Sequence, residues 1–202
     1  MFDNCLAWTD CYGYKIGQGV WERQDNVTFQ NSVVYTAGVG IGIDHKFGSN
    51  TASNITFENI DIEGLHGNSG GQATWLSVLV ELSGQGVGPV EGLFVKNIRA
   101  RTQGSRNGFL QGYNSSSMVS GVTISDVYMV SPPVLLFSTS ELSDKKDSSW
   151  MVAEFDHLHF VERESITDSA YVQYANITPA TTLQQMNLLS TNFSEGIKII
   201  NS

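Results

Sequence analysis

Short runs in which apolar and polar residues alternate recur along the chain, each closed by an asparagine or an aspartate. The clear copies are Asn26-Val-Thr-Phe-Gln-Asn31, Asn54-Ile-Thr-Phe-Glu-Asn59, Gly92-Leu-Phe-Val-Lys-Asn97 and Gly121-Val-Thr-Ile-Ser-Asp126. Weaker copies are Phe2-Asp-Asn4 and Glu154-Phe-Asp156. The closing residues stand at 4, 31, 59, 97, 126 and 156, so the spacings are 27, 28, 38, 29 and 30. A strand repeated at that period predicts a coiled, stacked architecture.

More strands lie between the copies. After Asn4 come Cys5–Trp8 and Tyr14–Ile16; after Asn31, Ser32–Tyr35 and Gly40–Asp44; after Asn59, Ile60–Ile62 and Trp75–Leu82. After Asn97 come Ile98–Ala100 and Gly108–Gln111, and after Asp126, Val127–Val130 and Val134–Phe137. About three short strands per turn of the chain predict an all-β parallel β-helix of about six coils over residues 1–165. The stretch 166–202 loses the repeat and reads as a C-terminal cap or tail, with Thr181–Leu189 as a candidate short helix. Polar insertions at Gly64–Thr74 and Ser138–Ser149 interrupt the period, and solenoid insertions gather on one face, often the binding face. Asn31, Asn59 and Asn97 are expected to stack as a structural ladder.

Alternation also sorts side chains between core and surface. Tyr14, Ile16, Ile41, Ile43, Leu76, Val78, Val80 and Leu82 inward leave Lys15, Ser77, Leu79 and Glu81 outward, with Asp44 outward or at its strand end, so that Lys15, Asp44 and Glu81 share one face. Asp10, His45, Lys46 and His66 are expected on turns bordering it.

Composition narrows the class. The chain has 202 residues, 41% hydrophobic and 15% charged, with 20 glycines, which suits one turn-rich β domain. A net charge of −9 and a single basic pair, Lys145-Lys146, argue against nucleic acid as a partner. No apolar run approaches membrane-spanning length, so no membrane partner is expected. Cys5 and Cys11 are either a small disulfide or two core thiols, and no metal-binding Cys/His pattern or cofactor motif is present. Sequons at Asn26, Asn54, Asn114, Asn176 and Asn192 fit a secreted, N-glycosylated extracellular protein. The start, inside a repeat and without a capping element, reads as the boundary of a larger protein. Oligomeric state is not legible.

Two carboxylates about 5–10 Å apart across a bound sugar are what glycoside hydrolysis needs: one protonates the leaving oxygen, the other activates water or attacks. Asp10 and Asp44 are the candidate catalytic acids, with Glu81 as a third. Lys15, His45, Lys46, His66 and Trp75 are the candidate substrate-binding residues. For any one of these carboxylates a solvated charge or a plain ion pair such as Lys15–Asp44 is the rival reading.

The phrases Asn-Val-Thr-Phe-Gln-Asn and Asn-Ile-Thr-Phe-Glu-Asn resemble coils of right-handed β-helix polysaccharide-degrading enzymes, the polygalacturonase-like and dextranase–isopullulanase-like glycoside hydrolases. The resemblance covers roughly residues 2–130 and implies a right-handed helix and a polysaccharide substrate lying in a groove. Thr9-Asp10-Cys11 is similar to the polygalacturonase Asp-Asp segment but has one Asp. Gly40-Ile41-Gly42-Ile43 is similar to Gly-His-Gly-Ile but lacks the His, with His45 nearby. Gly108-Phe-Leu-Gln111 stands where an Arg-Ile-Lys would hold a substrate carboxylate, so a neutral glycan is expected rather than galacturonate. A non-catalytic structural or carbohydrate-binding β-helix is the alternative. A polysaccharide lyase with Lys15 or Lys46 as base comes third, without a convincing calcium site.

Overall fold

The structure is a computed structural model that describes residues 1–66, 73–81, 86–130, 177–190 and 193–200. The Glu154-Phe-Asp156 copy, the strand Val134–Phe137, the insertion Ser138–Ser149 and the sequons at Asn176 and Asn192 lie outside the described residues.

The described chain is all-β. In order the strands are β1 Phe2–Asp3, β2 Leu6–Trp8, β3 Tyr12–Gly19, β4 Gln24–Asp25, β5 Thr28–Thr36, β6 Val39–Phe47, β7 Ala52–Ile62 and β8 Thr74–Val80. They continue as β9 Val90–Ala100, β10 Gly108–Gln111, β11 Val119–Val130, β12 Ile177–Pro179, β13 Leu188–Ser190, β14 Ser194–Glu195 and β15 Lys198–Ile200. They form two sheets. The larger runs β1-β5-β7-β9-β11-β12, with β2 on β5, β4 on β7, and β14 and β15 on β11. The smaller runs β13-β10-β8-β6-β3. Every pairing is parallel except β11 with β12. The chain therefore alternates between sheets, and each pass lays its strands beside those of the pass before.

The repeated phrase is the register of the larger sheet. Phe29, Phe57, Val95 and Ile124 occupy one row, and Ile60, Ile98 and Val127 another. These side chains are buried and face the smaller sheet. Phe29 stacks between Phe2 at 4.8 Å and Phe57 at 5.3 Å between ring centroids. Offset stacking of this kind adds to the area term that drives burial.

Both ends of the phrase are left-handed backbone positions. Asn26, Asn54, Gly92, Gly121 and Gly196 have φ of 52–75°, and Asn4, Asn31, Asn59, Asn97 and Asp126 have φ of 49–55°. Glycine tolerates this region without penalty, and Asn and Asp come next among L residues. That is why the closing residues are Asn or Asp in every copy. Their side chains also chain the passes together. Asn31 donates to Asp3 Oδ1 (2.8 Å), Asn59 to Asn31 Oδ1 (2.7 Å) and Asn97 to Asn59 Oδ1 (3.2 Å). Next to the ladder, cross-strand ion pairs join Lys96 to Glu58 (2.9 Å), Arg99 to Asp61, and Arg101 to Glu63 (2.8 Å).

Three expectations are corrected. Thr181–Leu189 is not a helix but a single turn. It is closed by Met186 N–H to Thr182 O (3.1 Å) and Leu188 N–H to Leu183 O (2.8 Å). Asn187, at φ 54°, ends it, and Leu188 then enters β13 beside Gly108 with its side chain in the core. Strand pairing thus takes the residues that would have continued a helix. The repeat also returns before the end of the chain: Thr123, Ile124 and Ser125 pair with Lys198, Ile199 and Ile200. Of the two cysteine readings, neither the disulfide nor two buried thiols is found: both are free, with Cys5 half-buried and Cys11 exposed.

Candidate functional site

The smaller sheet positions the candidate residues. Its register aligns Lys15 with Gly42 and Ser77, and Gly17 with Asp44 and Leu79. Ile41, Ile43, Leu76 and Val78 are fully buried on the inner face. The intervening residues Lys15, Asp44, Ser77 and Leu79 therefore belong to the outer face, as alternation predicts. Glu81 follows two residues after Leu79, and its N–H donates to His45 O at 3.0 Å. With neighbouring strands about 4.8 Å apart and a rise of about 3.3 Å per residue, the backbone positions of Asp44 and Glu81 are roughly 8 Å apart.

Each acid has a lysine. Lys15 Nζ lies 3.9 Å from Asp44 Oδ2, and Lys46 Nζ 3.4 Å from Glu81 Oε2. The Asp44 carboxylate is about nine-tenths shielded, with 10% of its side-chain surface exposed, while Glu81 is 39% exposed. Lys15 also stands 4.9 Å from the ring centroid of Tyr12, a cation–π distance. Asp44, Glu81, Lys15 and Lys46 thus form one patch on the outer face of the smaller sheet.

Asp10 and His66 are placed elsewhere. Asp10 lies on the turn before β3, where its carbonyl oxygen faces Gly38. Gly38 is six residues from Asp44, about 20 Å along the strand. Asp10 Oδ1 pairs with His66 Nε2 at 3.2 Å, and His66 Nδ1 meets the Thr36 hydroxyl. This exposed Asp10–His66–Thr36 contact links three successive passes at their corner. The structure does not bring Asp10 to the other two acids.

Two predicted ligands are core residues. Trp75 is fully buried and donates its indole N–H to Met186 O at 2.6 Å, so its ring is not available to a polymer. Strict alternation puts it outward, but alternation breaks in its row. A Cβ on Gly13 would stand 2.8 Å from a Val34 methyl, and one on Gly40 2.8 Å from Ile62 Cδ1, both in the core of the larger sheet. Gly13, Gly40 and Trp75 share one register position, and all three sit where the chain turns from one sheet toward the other. His45 is likewise fully buried within β6 rather than on a bordering turn. Its Nε2 lies 2.7 Å from Asn50 O and 3.3 Å from Gly88 N, and its Nδ1 has no partner. Burial holds its pKa below the ordinary histidine value, so the ring is neutral and structural.

The same break sends Tyr12 to the outer face, a position not anticipated for it. Its ring lies against Gly42, where a Cβ would come within 2.9 Å of Tyr12 Cε1. Burial, and then the charge of Asp44, push its phenol up to about 12; nearby Ser77 and Arg106 act in the opposite sense. Tyr12 is therefore a permanent hydrogen-bond donor. Ser77 was legible as an outward residue, whereas Arg106 comes from a loop with no sequence pattern. Among the described residues no group of three metal-ligating side chains converges. No protein-family model, curated protein or solved structure matches the chain.

Proposed function

We propose that the two sheets are faces of a right-handed parallel β-helix of about six coils, and that the chain is a secreted glycoside hydrolase acting on a polysaccharide laid across the smaller sheet. The observation that carries this is the placement of Asp44 and Glu81 on one outer face, with their backbones roughly 8 Å apart. Two side chains leaving one face from that backbone spacing can reach the roughly 6.5–9.5 Å between carboxyl groups that lets a water fit between an acid and a base in inverting glycosidases. In this reading the shielded Asp44 protonates the leaving oxygen, and the more open Glu81 activates the water. Lys15 and Lys46 orient the two carboxylates and bind sugar hydroxyls. The resemblance of the repeated phrase to β-helix carbohydrases supports the substrate class; as fold-level analogy it does not name the sugar.

The alternative is a non-catalytic β-helical carbohydrate-binding or structural module. The same patch favours it in one respect: both acids already have lysine partners, as in plain surface ion pairs. Reducing-sugar release from a panel of neutral and acidic polysaccharides separates the two. In the hydrolase reading one polymer is cleaved, and Asp44→Asn lowers the rate by at least about a hundredfold, the lower range for a lost general acid, with folding intact. A folded protein that releases nothing, or an Asp44→Asn variant with wild-type rates, leaves the binding module standing.

A further inference from the structure

The corner where the passes turn from the larger sheet toward the smaller carries a second group of reactive side chains. Thr36 closes β5, Asp10 stands on the turn before β3, and His66 follows the bridge between Ala37 and Leu65. Backbone bonds fix all three segments. Thr9 N–H donates to Thr36 O (3.0 Å), Gly38 N–H to Cys11 O (2.8 Å) and His66 N–H to Ala37 O (3.0 Å). The side chains then meet in a line: Asp10 Oδ1 lies 3.2 Å from His66 Nε2, and the Thr36 hydroxyl meets His66 Nδ1.

The chemistry of each atom gives the line a direction. A carboxylate only accepts, so the proton of the neutral imidazole sits on Nε2, facing Asp10. Nδ1 is then bare and accepts the Thr36 O–H. A hydroxyl held on the basic nitrogen of an imidazole, with a carboxylate holding the other nitrogen, is the arrangement of an activated nucleophile. The corner is open to a ligand: the His66 and Asp10 side chains are 52% and 78% exposed. A Cβ on Gly64 would stand 3.4 Å from Thr36 Oγ1, so the glycine keeps that side of the hydroxyl uncovered. Trp8 is the register partner of Thr36. Its exposed ring, edge-on to Tyr35 at 6.0 Å, presents apolar surface one strand away.

We propose that this corner hydrolyses carboxylic esters that carry an apolar acyl group, with Thr36 as nucleophile, His66 as base and Asp10 as the positioning residue. Thr36 Oγ1 attacks the ester carbonyl carbon while His66 Nδ1 takes its proton. The bond from that carbon to the alcohol oxygen breaks as Nδ1 returns the proton to the leaving oxygen. Water, deprotonated at the same nitrogen, then cleaves the acyl-Thr36 ester, giving the acid and the free hydroxyl. Asp10 keeps the ring in the tautomer that leaves Nδ1 basic; being open to water, it is screened and acts by orientation. The corner lies about 20 Å along the strand from Asp44, so the proposal stands apart from the polysaccharide reading.

The test uses the full chain with p-nitrophenyl acetate and p-nitrophenyl benzoate. Release of p-nitrophenol is followed over the buffer rate, and acid-quenched samples at saturating ester are digested and weighed to locate an acyl group. Wild type releases p-nitrophenol and carries the acyl group on Thr36. Thr36→Val and His66→Gln each lower release at least about a hundredfold, the lower range for a lost base, and Asp10→Asn lowers it less. Thr36→Ser keeps a hydroxyl and retains release, so the loss in Thr36→Val is not one of folding. Trp8→Ala slows the benzoate ester more than the acetate ester. If the contact is only a clasp between passes, wild type is no faster than buffer, and that result overturns the proposal. So does a Thr36→Val variant with the wild-type rate, or release without an acyl group on Thr36. Equal slowing of the two esters by Trp8→Ala overturns the choice of acyl group.

Discussion

Replacing Asn59 tests whether the asparagine ladder is a principal fastener between passes. Asn59 donates to Asn31 Oδ1 at 2.7 Å and accepts from Asn97 Nδ2 at 3.2 Å and Arg99 Nη2 at 3.1 Å, with its backbone at φ 55°. Alanine removes all three bonds. Two neutral bonds at about 1 kcal/mol each and one charged bond at about 1.5–3 give roughly 3.5–5 kcal/mol. Alanine also lacks the polar side chain that eases asparagine into the left-handed region, which adds about 1 kcal/mol. The total of about 4.5–6 kcal/mol is a large share of the 5–15 kcal/mol that holds a typical domain together. Asn59→Gly loses the same bonds but adopts the backbone freely, so it should be less damaging than alanine by about 1 kcal/mol in the left-handed term. Urea unfolding followed by far-ultraviolet circular dichroism reads both. An alanine variant within about 1 kcal/mol of wild type would show that water replaces the ladder at little cost. A glycine variant less stable than alanine would refute the backbone part of the reasoning.

Three further outcomes follow from the same structure. Burial lowers the pKa of His45 from 6.5, so the unfolded chain binds more protons than the folded one just below that value; His45 contributes stability that is present above pH 6.5 and lost as pH falls through it. Urea midpoints from pH 8 to 5 should therefore fall in wild type, and the fall should shrink in His45→Gln if that variant folds; an unchanged slope rejects the assignment. Trp75→Phe strands the Met186 carbonyl and should cost about 1–3 kcal/mol in thermal unfolding while leaving polysaccharide binding alone; a selective loss of binding would restore Trp75 to the site. Gly42→Ala drives a methyl to 2.0 Å from Ser77 O, a contact with rigid backbone, and should lower the melting temperature sharply; a variant as stable as wild type would show that β6 and β8 are spaced more widely than described.

The larger sheet was legible because two independent requirements fall on the same six residues. Inward rows such as Phe29–Phe57–Val95–Ile124 demand apolar residues at alternate positions, and the bends at either end demand Asn, Asp or Gly. The period then survives an insertion such as 64–74, which enters between strands and leaves the register of β7 with β9 intact. The pass ending at Leu188–Ile200 was overlooked although its phrase is in the sequence: Gly196-Ile-Lys-Ile-Ile-Asn201 matches Gly121-Val-Thr-Ile-Ser-Asp126 in its opening glycine, its apolar second and fourth residues and its polar close, but it stands off the period set by the earlier copies. Thr182 and Gln185 also mimic a helix start: the Gln185 N–H donates to the Thr182 hydroxyl at 3.1 Å, and Thr181 N–H to Gln185 Oε1 at 2.8 Å. That local signal is present, and it closes one turn before strand pairing prevails.

The candidate site was half legible, and the division follows from one geometric fact. Alternation holds along the straight parts of β3, β6 and β8, so Lys15, Asp44 and Glu81 were read onto one face from spacing alone. It fails at the corner row of Gly13, Gly40 and Trp75, where successive residues both point inward. The Tyr14 hydroxyl lies 2.8 Å from Cys5 O and 2.9 Å from Val33 O across the core, directly after a glycine that also faces the core. Every residue beyond that corner changes sides relative to a strict count: Trp75 goes in and Tyr12 comes out. The glycines mark the place, since an inward Cβ in the Gly13 and Gly40 positions would collide with Val34 or Ile62. A glycine repeated one register apart at the head of a strand is thus a sign of a corner, and alternation should be counted afresh from it. Counted that way, Tyr12 falls on the outer face, the face that also carries Lys15, Asp44 and Ser77.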